Sequence, residues 1–193
     1  WTVTVRGNDS SSMTGSLITA PLVIFCTGSS PTTVELPTTP SVTPHKLLSL
    51  ETALAPSILA DALPRDRALS VGVVGASHSA VLALMNLVGL GRTTHPRLRV
   101  RWFSRTPTLK YAEYRDGWIL HDNTGLKGSA ADFGRRFLDG EALSSAESGG
   151  VGDIVTRVDC SGGPEREREA FLRHLPGCDY VVQAVGFTRD ALP

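Results

Sequence analysis

The sequence predicts an α/β protein in which a parallel sheet is covered by helices on both faces. Apolar runs of strand length alternate with stretches of helical spacing through residues 45–193, and this alternation is typical of crossover units with parallel strands. Of the 193 residues, 41% are hydrophobic and 20% are charged. This composition is ordinary for a globular chain with one main core.

The N-terminal part of the chain has a different pattern. Residues 1–6 alternate apolar and polar side chains, residues 7–12 are turn-forming, and residues 17–25 are rich in strand formers. Residues 29–44 contain four prolines, which exclude a helix or a central strand and indicate an extended connection. We therefore divide the chain into a β-strand piece with linker, residues 1–44, and a main domain, residues 45–193.

The elements of the main domain follow from periodicity. Strands are predicted at residues 68–74, 98–103, 118–120, 153–159 and 180–185, and helices at residues 47–63, 78–90, 129–138 and 165–174. The first helix has Ser49 as its N-cap and Glu51 in its first turn, and Pro56 should kink or split it. Residues 138–152 are predicted to form a surface loop, and the polar residues 122–128 a turn.

The turn after the strand at residues 68–74 carries the strongest functional signal. It consists of Gly75, Ala76, Ser77, His78, Ser79 and Ala80. At dinucleotide sites the first small residue allows a tight turn, the second lets the backbone approach the pyrophosphate, and the third permits close helix packing. Gly75, Ser77 and Ala80 hold those places. The helix that follows offers unpaired amides and a positive dipole end to a diphosphate.

This turn predicts a Rossmann-like nucleotide-binding unit in the main domain. The pattern is G-x-S-x-x-A rather than G-x-G-x-x-G, and short turns of small residues also join strands to helices for packing alone. A packing turn therefore stands as the alternative. In that interpretation His78 is a capping or packing residue.

The end of the second strand of such a unit selects the cofactor, because an acid there receives a ribose hydroxyl and a base receives a 2′-phosphate. Here Ser104 and Arg105 follow the predicted strand, and no Asp or Glu occurs between Arg92 and Lys110. The guanidinium fork of Arg105 suits a phosphate, and Ser104 adds a hydroxyl donor. The sequence thus favours NADPH, the reduced form of NADP, over NADH.

The other arginines of this strand are interpreted differently. Arg97, Arg99 and Arg101 alternate with apolar residues, which is typical of a solvated strand face, and this is also the alternative for Arg105. Nineteen basic and nineteen acidic residues give a formal net charge of zero, and no interleaved aromatic residues accompany the arginines. A small-molecule cofactor is therefore the expected partner, and nucleic acid is not.

Membrane and metal classes are not indicated by the sequence. No apolar stretch reaches the roughly 20 residues that span a bilayer, and no signal segment opens the sequence, so a cytoplasmic location without membrane contact is expected. Cys26, Cys160 and Cys178 are widely spaced and odd in number. They predict neither a disulfide framework, nor a C-x-x-C pair, nor a metal site, and we interpret them as small buried side chains.

Two further glycine turns end apolar strands, Cys26-Thr27-Gly28 before Pro31 and Ala184-Val185-Gly186-Phe187. In this order with the Gly75 turn and Arg105, they resemble the flavoproteins with two dinucleotide-binding domains. That group contains flavin-containing monooxygenases, N-hydroxylating monooxygenases and pyridine nucleotide-disulfide oxidoreductases. In that group, a strand that ends in a turn similar to Cys26-Thr27-Gly28 closes part of the FAD domain. The chain then crosses into an inserted NAD(P)H domain, which ends in a turn resembling the second.

The resemblance implies that this chain is the middle portion of such an enzyme, with an N-terminal β piece of an incomplete FAD domain. It implies NADPH on this chain and FAD in the complete protein, with the rest of the flavoprotein or an FAD-bearing partner nearby. Gly186 would lie near the nicotinamide and Gly28 near the flavin. Because the main domain has no C-x-x-C pair, the resemblance favours a monooxygenase-like role over a dithiol mechanism on this segment.

Two other functions stay open at this point. A stand-alone nucleotide-dependent reductase is weakened, because no tyrosine has a lysine four residues later as a short-chain dehydrogenase would need. A non-catalytic nucleotide-binding or interaction module, left by truncation, is the alternative from a different class. The sequence leaves the catalytic residues and the substrate unassigned.

Overall fold

The computed structural model describes residues 2–5, 16–24, 26, 28–37, 46–121, 124–144 and 149–191. The chain divides into two compact units, one formed by Trp1–Ser30 with Thr188–Pro193 and the other by Pro31–Phe187. The division between residues 30 and 31 falls inside the predicted linker, residues 29–44. In the larger unit this linker is held by Gln183, whose side chain accepts from Val34 N at 2.7 Å and donates to Val34 O at 3.0 Å.

The described strands are β1 (Thr2–Val5), β2 (Ser16–Thr19), β3 (Ser29–Pro31), β4 (Lys46–Leu48), β5 (Leu69–Val74), β6 (Leu98–Ser104), β7 (Tyr114–Arg115), β8 (Trp118–Ile119), β9 (Val155–Asp159), β10 (Tyr180–Gln183) and β11 (Phe187–Arg189). The described α-helices are α1 (Leu50–Leu54), α2 (Pro56–Ala62), α3 (His78–Arg92), α4 (Gly128–Phe133), α5 (Val151–Ile154) and α6 (Pro164–His174). Short 3₁₀ turns occur at Ala142–Ser144 and Leu175–Gly177.

A five-stranded sheet in the order β4-β10-β5-β6-β9 forms the centre of the larger unit, and all of its strand pairs are parallel. Val73 of β5 lies between Val182 of β10 and Trp102 of β6. A parallel sheet needs cover on both faces, which explains why β5 is apolar along almost its whole length. The predicted α/β fold is confirmed.

Two apolar clusters lie on opposite faces of this sheet, because successive residues of a strand point to opposite sides. Trp102 belongs to one cluster, together with Leu59 of α2 and Leu84 of α3. Its neighbour Phe103 belongs to the other cluster, where its ring centroid lies 5.2 Å from that of Phe171 on α6. Helices therefore flank the sheet as the sequence predicted.

The predicted helix at residues 47–63 is partly wrong, because Lys46–Leu48 is strand β4 and pairs with β10. The rest divides into α1 and α2, and the second helix begins at Pro56, as expected of a residue that is tolerated only in the first turn. The predicted cap is confirmed, since Ser49 Oγ accepts from Thr52 N at 3.1 Å.

The predicted strand at residues 153–159 is also partly wrong. Val151–Ile154 forms helix α5, and the strand begins only at Val155. A Cβ built on Gly91 of α3 would lie 3.0 Å from Ile154 Cδ1, so this apolar side chain serves helix packing rather than the sheet. The strand at residues 180–185 ends earlier, at Gln183, and the helix at residues 129–138 begins at Gly128 and finishes as a π turn, Gly134–Leu138.

The smaller unit contains an antiparallel pair, β1 with β2, in which Thr2 faces Thr19. Strand β2 ends at Thr19, well before the predicted end at residue 25. The predicted turn at residues 7–12 lies outside the described residues. Cys26 is exposed, so its interpretation as a buried side chain is wrong, whereas Cys160 and Cys178 are buried as predicted. None of the described helices is long and apolar enough to cross a membrane.

Candidate functional site: a cleft at the carboxyl ends of the parallel strands

The order of the central strands places a crevice beside β5. The strands β5, β6, β9 and β10 follow one another in this order along the chain. In the sheet they lie in the order β9-β6-β5-β10, so that β5 and β10 are adjacent. The chain thus proceeds to one side of β5 and then returns to the other side. In open parallel sheets, ligands bind outside the carboxyl ends of the strands where the order reverses in this way. That point lies between the ends of β5 and β10.

A cleft of about 650 Å³ occupies this position, a size within the usual range for small-molecule sites. Four strand ends contribute to its wall: Gly75 to Ser79 after β5, Arg105 and Thr106 after β6, Cys160 after β9, and Ala184 to Phe187 after β10. The remaining lining includes Lys110, Thr124 to Leu126, Glu167 and Phe171. The structure therefore brings together Gly75, Ala76, Ser77, His78, Ser79, Arg105 and Gly186, which the sequence predicted as site residues.

The backbone at Gly75 is fixed on two sides. Its N–H donates to Phe103 O at 3.0 Å, and its carbonyl accepts from Trp102 Nε1 at 2.7 Å. Gly75 has φ +124°, and a Cβ built there would lie 2.3 Å from Ala184 O. Glycine is required here because the turn of β5 approaches the turn of β10 too closely for any side chain.

Helix α3 begins directly behind this turn. Ser77 is its N-cap in an extended conformation, and Val81 N donates to Ser77 O at 3.1 Å. Within the described structure the Ser77 hydroxyl makes no capping hydrogen bond, so it does not satisfy the amides of the first helical turn. Ala80 is fully buried, which agrees with the close packing expected at the third small position. The first turn of α3 can therefore receive an anion from the cleft.

His78 is the first residue of α3 and lines the cleft. Its Nδ1 is buried and has no hydrogen-bond partner among the described residues. Buried polar atoms are nearly always paired, and an unpaired one needs an explanation. A polar ligand group in the cleft would provide the missing partner.

Arg105 and Ser104 take different positions. Arg105 is exposed at the cleft, and its Nε donates to Glu167 Oε1 at 2.7 Å. Ser104 is fully buried and donates its hydroxyl to Thr106 O at 2.9 Å. The Ser104 side chain thus faces the protein interior, and the structure does not bring it into the cleft. Its observed role is to hold the loop that carries Arg105.

A half-buried arginine, Arg157, connects the two loops of the cleft. Arg157 of β9 donates to Thr106 O and, at 3.4 Å, to Ser104 Oγ. Its guanidinium carbon lies 5.0 Å from the centroid of the Trp102 ring, and Trp102 in turn donates to the Gly75 carbonyl. The Arg105 loop and the Gly75 turn are therefore held through a shared pair of side chains.

The polar segment at residues 122–128 also contributes to the cleft. Ala112 N donates to Leu126 O at 2.9 Å, and Leu126 N donates to Lys110 O at 2.8 Å, which joins this segment to the chain after β6. Gly125 has φ +77°, and a Cβ there would lie 2.4 Å from the backbone of Tyr111. Asp122 and Asn123 lie outside the described residues. Of the described residues of the segment, Thr124, Gly125 and Leu126 line the cleft.

The cleft lining includes one buried cysteine, Cys160. Burial raises the pKa of the Cys160 thiol to about 11, with a further contribution from the carboxylate of Glu167. The thiol is therefore protonated at neutral pH and is a poor nucleophile. No cluster of His, Cys, Asp or Glu suited to a metal ion occurs among the described residues.

The two remaining predicted glycines belong to different units. Gly186 lies in the larger unit, has φ +127°, and accepts from Thr32 N at 2.9 Å through its carbonyl. Gly28 lies in the smaller unit, has φ +80°, and accepts from Asp190 N at 3.2 Å. Gly186 lines the cleft and Gly28 does not.

Sequence reasoning missed Glu167, Trp102 and Arg157. The acid that contacts Arg105 stands 62 residues later in the chain, so a search near the end of β6 could not reach it. A signal for Trp102 did exist, since an indole in a buried strand normally has a hydrogen-bond partner.

One curated relative carries a functional name. Monooxygenase AgnR1 of Paecilomyces divaricatus is 49% identical to this chain over 193 residues, which are 100% of the chain and 47% of the relative. The chain is related to a monooxygenase. It spans about half the length of that relative. No family model matches the chain, and no solved structure matches it.

Proposed function

We propose that this chain is the NADPH-binding portion of an FAD-dependent monooxygenase. The observation that carries the proposal is the position of the Gly75 turn and the start of α3 at the strand reversal beside β10, facing a cleft of dinucleotide-compatible size. The monooxygenase relative supports the reaction class. FAD belongs to the complete protein in this proposal, because no strand followed by G-x-G-x-x-G occurs in the chain.

The lining residues fit a dinucleotide in three places. The amides at the start of α3 would hold the pyrophosphate, and Gly75 lines the cleft next to them. Arg105 would bind the 2′-phosphate with the two guanidinium nitrogens that Glu167 does not contact, supported by Lys110. Ala184 and Gly186 would line the nicotinamide end.

These contacts position the cofactor rather than perform the chemistry. When bound, NADPH supplies a hydride for the flavin of the complete enzyme, and the protein supplies orientation and electrostatics. The chain's own contribution is to fix the diphosphate against α3 and to hold the Arg105 loop through Ser104 and Arg157.

Ser77→Asp tests this proposal without endangering the fold. Asp is as good an N-cap as Ser, so the thermal stability of the variant should be unchanged or slightly higher. A carboxylate at this position would repel a diphosphate, and we expect the affinity for both NADPH and NADH to fall by about tenfold or more. Titration calorimetry on the wild-type chain and the variant measures the effect.

Ser49→Asp is the matched control, because Ser49 is the N-cap of α1 and does not line the cleft. It should leave nucleotide affinity within about twofold of wild type, since a distant exposed charge is screened by salt. If Ser77→Asp binds NADPH as well as Ser49→Asp does, the diphosphate does not rest on α3 and the proposal is wrong.

A further inference from the structure

We propose that Glu167 limits the preference of this cleft for NADPH over NADH by opposing the 2′-phosphate at Arg105. The inference rests on the proposed function and deepens it. Arg105 Nε and Glu167 Oε1 lie 2.7 Å apart, and both residues line the cleft. The arginine proposed to bind the phosphate is therefore already paired with a carboxylate.

The two partners differ in exposure. The Arg105 side chain is 65% exposed, whereas the Glu167 side chain, fixed in the first turns of α6, is only 18% exposed. The carboxylate is thus the less mobile member of the pair and stays close to whatever binds Arg105. Because the charges of the pair sum to zero, Arg105 attracts a 2′-phosphate less than an unpaired guanidinium would.

NADPH and NADH would interact differently with the Arg105–Glu167 pair. A 2′-phosphate is repelled by the Glu167 carboxylate even while the guanidinium attracts it. A ribose with free hydroxyls can donate to a carboxylate, which is how acidic residues recognise NADH at this edge of related sheets. Lys110, exposed in the same cleft, adds a positive charge that favours the phosphate. The wild-type cleft therefore discriminates less than Arg105 and Lys110 alone would.

Glu167→Gln tests the inference, since glutamine keeps the oxygen that accepts from Arg105 and removes the charge. We expect the ratio of NADPH affinity to NADH affinity to rise by about threefold to tenfold, mostly through tighter NADPH binding. The matched control is Glu169→Gln, which removes an equal charge from an exposed position of α6 outside the cleft lining. That variant should change the ratio by less than about twofold.

The outcomes separate this inference from the proposed function. If the wild-type chain binds both nucleotides and Glu167→Gln leaves the ratio unchanged, the inference is wrong while the proposed function stands. If Glu167→Gln lowers the affinity for NADPH, Glu167 serves to orient Arg105 for the phosphate, and the inference is also wrong. If the wild-type chain binds neither NADPH nor NADH, the proposed function is wrong, and the inference is wrong with it.

Discussion

Two constraints act on residue 75, one from its own backbone and one from a neighbouring strand end. The positive φ favours glycine, and the carbonyl of Ala184 occupies the space that a Cβ would need. The same residue is held by hydrogen bonds to both its N–H and its carbonyl. Because relaxation on one side disturbs the other, the turn has little freedom to absorb a substitution.

Gly75→Ala should therefore destabilise the fold by about 2 to 4 kcal/mol, from backbone strain and the clash together. Chemical denaturation of the chain measures this change. Gly89→Ala is the matched control, because Gly89 lies inside α3 with open space around it. There alanine should stabilise the helix by about 0.5 to 1 kcal/mol. Equal stability of the two variants would contradict the close approach at residue 75.

Single residues also mark the limit of what the sequence could predict about the site. The cleft position of the glycine turn and of Arg105 could be predicted, because these residues directly follow strand ends along the chain. The surroundings of Ser104 and Glu167 could not be predicted, because they include residues distant in the chain. Arg157 of β9 contacts the inward-facing Ser104 hydroxyl, and Glu167 of α6 contacts Arg105.

Among the elements, strands β5 and β10 are joined beyond their ladder by one carboxylate. Asp179, which precedes β10, accepts from Ser70 N at 2.8 Å and from Arg67 Nη1 at 2.7 Å, and its own N–H donates to Ser70 O at 2.8 Å. Burial acts to raise the pKa of Asp179, but the hydrogen bonds from Ser70 and Arg67 outweigh it and lower this pKa. This contact holds the amino ends of the two strands that flank the crevice.

Asp179→Asn should lower the free energy of unfolding at pH 7 by about 1 kcal/mol. The unfolded carboxyl titrates near pH 3.9 and the folded one at lower pH, so ionised Asp179 stabilises the fold above about pH 4. That contribution is lost as the pH falls through the folded pKa, and wild type and variant should converge in acid. Denaturant unfolding at several pH values measures the difference.

The control for this prediction is Asp61→Asn. Asp61 pairs with Arg65 at 3.2 Å on the exposed surface of the chain around α2. Its removal should cost less than about 0.5 kcal/mol at any pH. A gap between wild type and Asp179→Asn that persists undiminished at pH 2 would rule out the carboxylate as its source.

Element types were predictable where periodicity extended over many residues, as in β5, α3 and β6. The errors fall on short elements next to partners distant in sequence. Strand β4 has only three residues, and its pairing with β10 joins residues more than a hundred positions apart. For Val151–Ile154, which form α5, the sequence predicts a loop up to residue 152 and a strand from residue 153. The packing of Ile154 against Gly91, which belongs to a helix interface, could not be known from the local sequence.

At the scale of the whole molecule, the chain contains one unit built around the parallel sheet and a smaller unit with an antiparallel strand pair. The chain spans about half of its monooxygenase relative. The partial coverage of the relative agrees with the proposal that the flavin site is completed by residues outside this sequence. Comparing the cofactors bound by this chain with those bound by a longer protein that contains it tests this proposal.

A longer protein that includes this chain and its flanking residues should purify yellow, with the visible absorbance of bound FAD, and should oxidise NADPH. The 193-residue chain should bind NADPH but remain colourless and leave it unoxidised, because hydride transfer needs an acceptor. Absorbance spectra and NADPH consumption measure both properties. NADPH oxidation by the chain alone would favour the stand-alone reductase instead.

The indole that supports Gly75 also has an optical consequence. Trp102 is fully buried directly beneath the turn, whereas Trp118 is 79% exposed on the β7–β8 hairpin. Their fluorescence therefore differs in colour, with the buried ring emitting at shorter wavelength and shielded from aqueous quenchers. Reduced nicotinamide absorbs in the wavelength range where indoles emit. A reduced dinucleotide bound in the cleft would therefore accept energy from excited Trp102 and quench its emission, so that intrinsic fluorescence would measure cofactor binding without an added label.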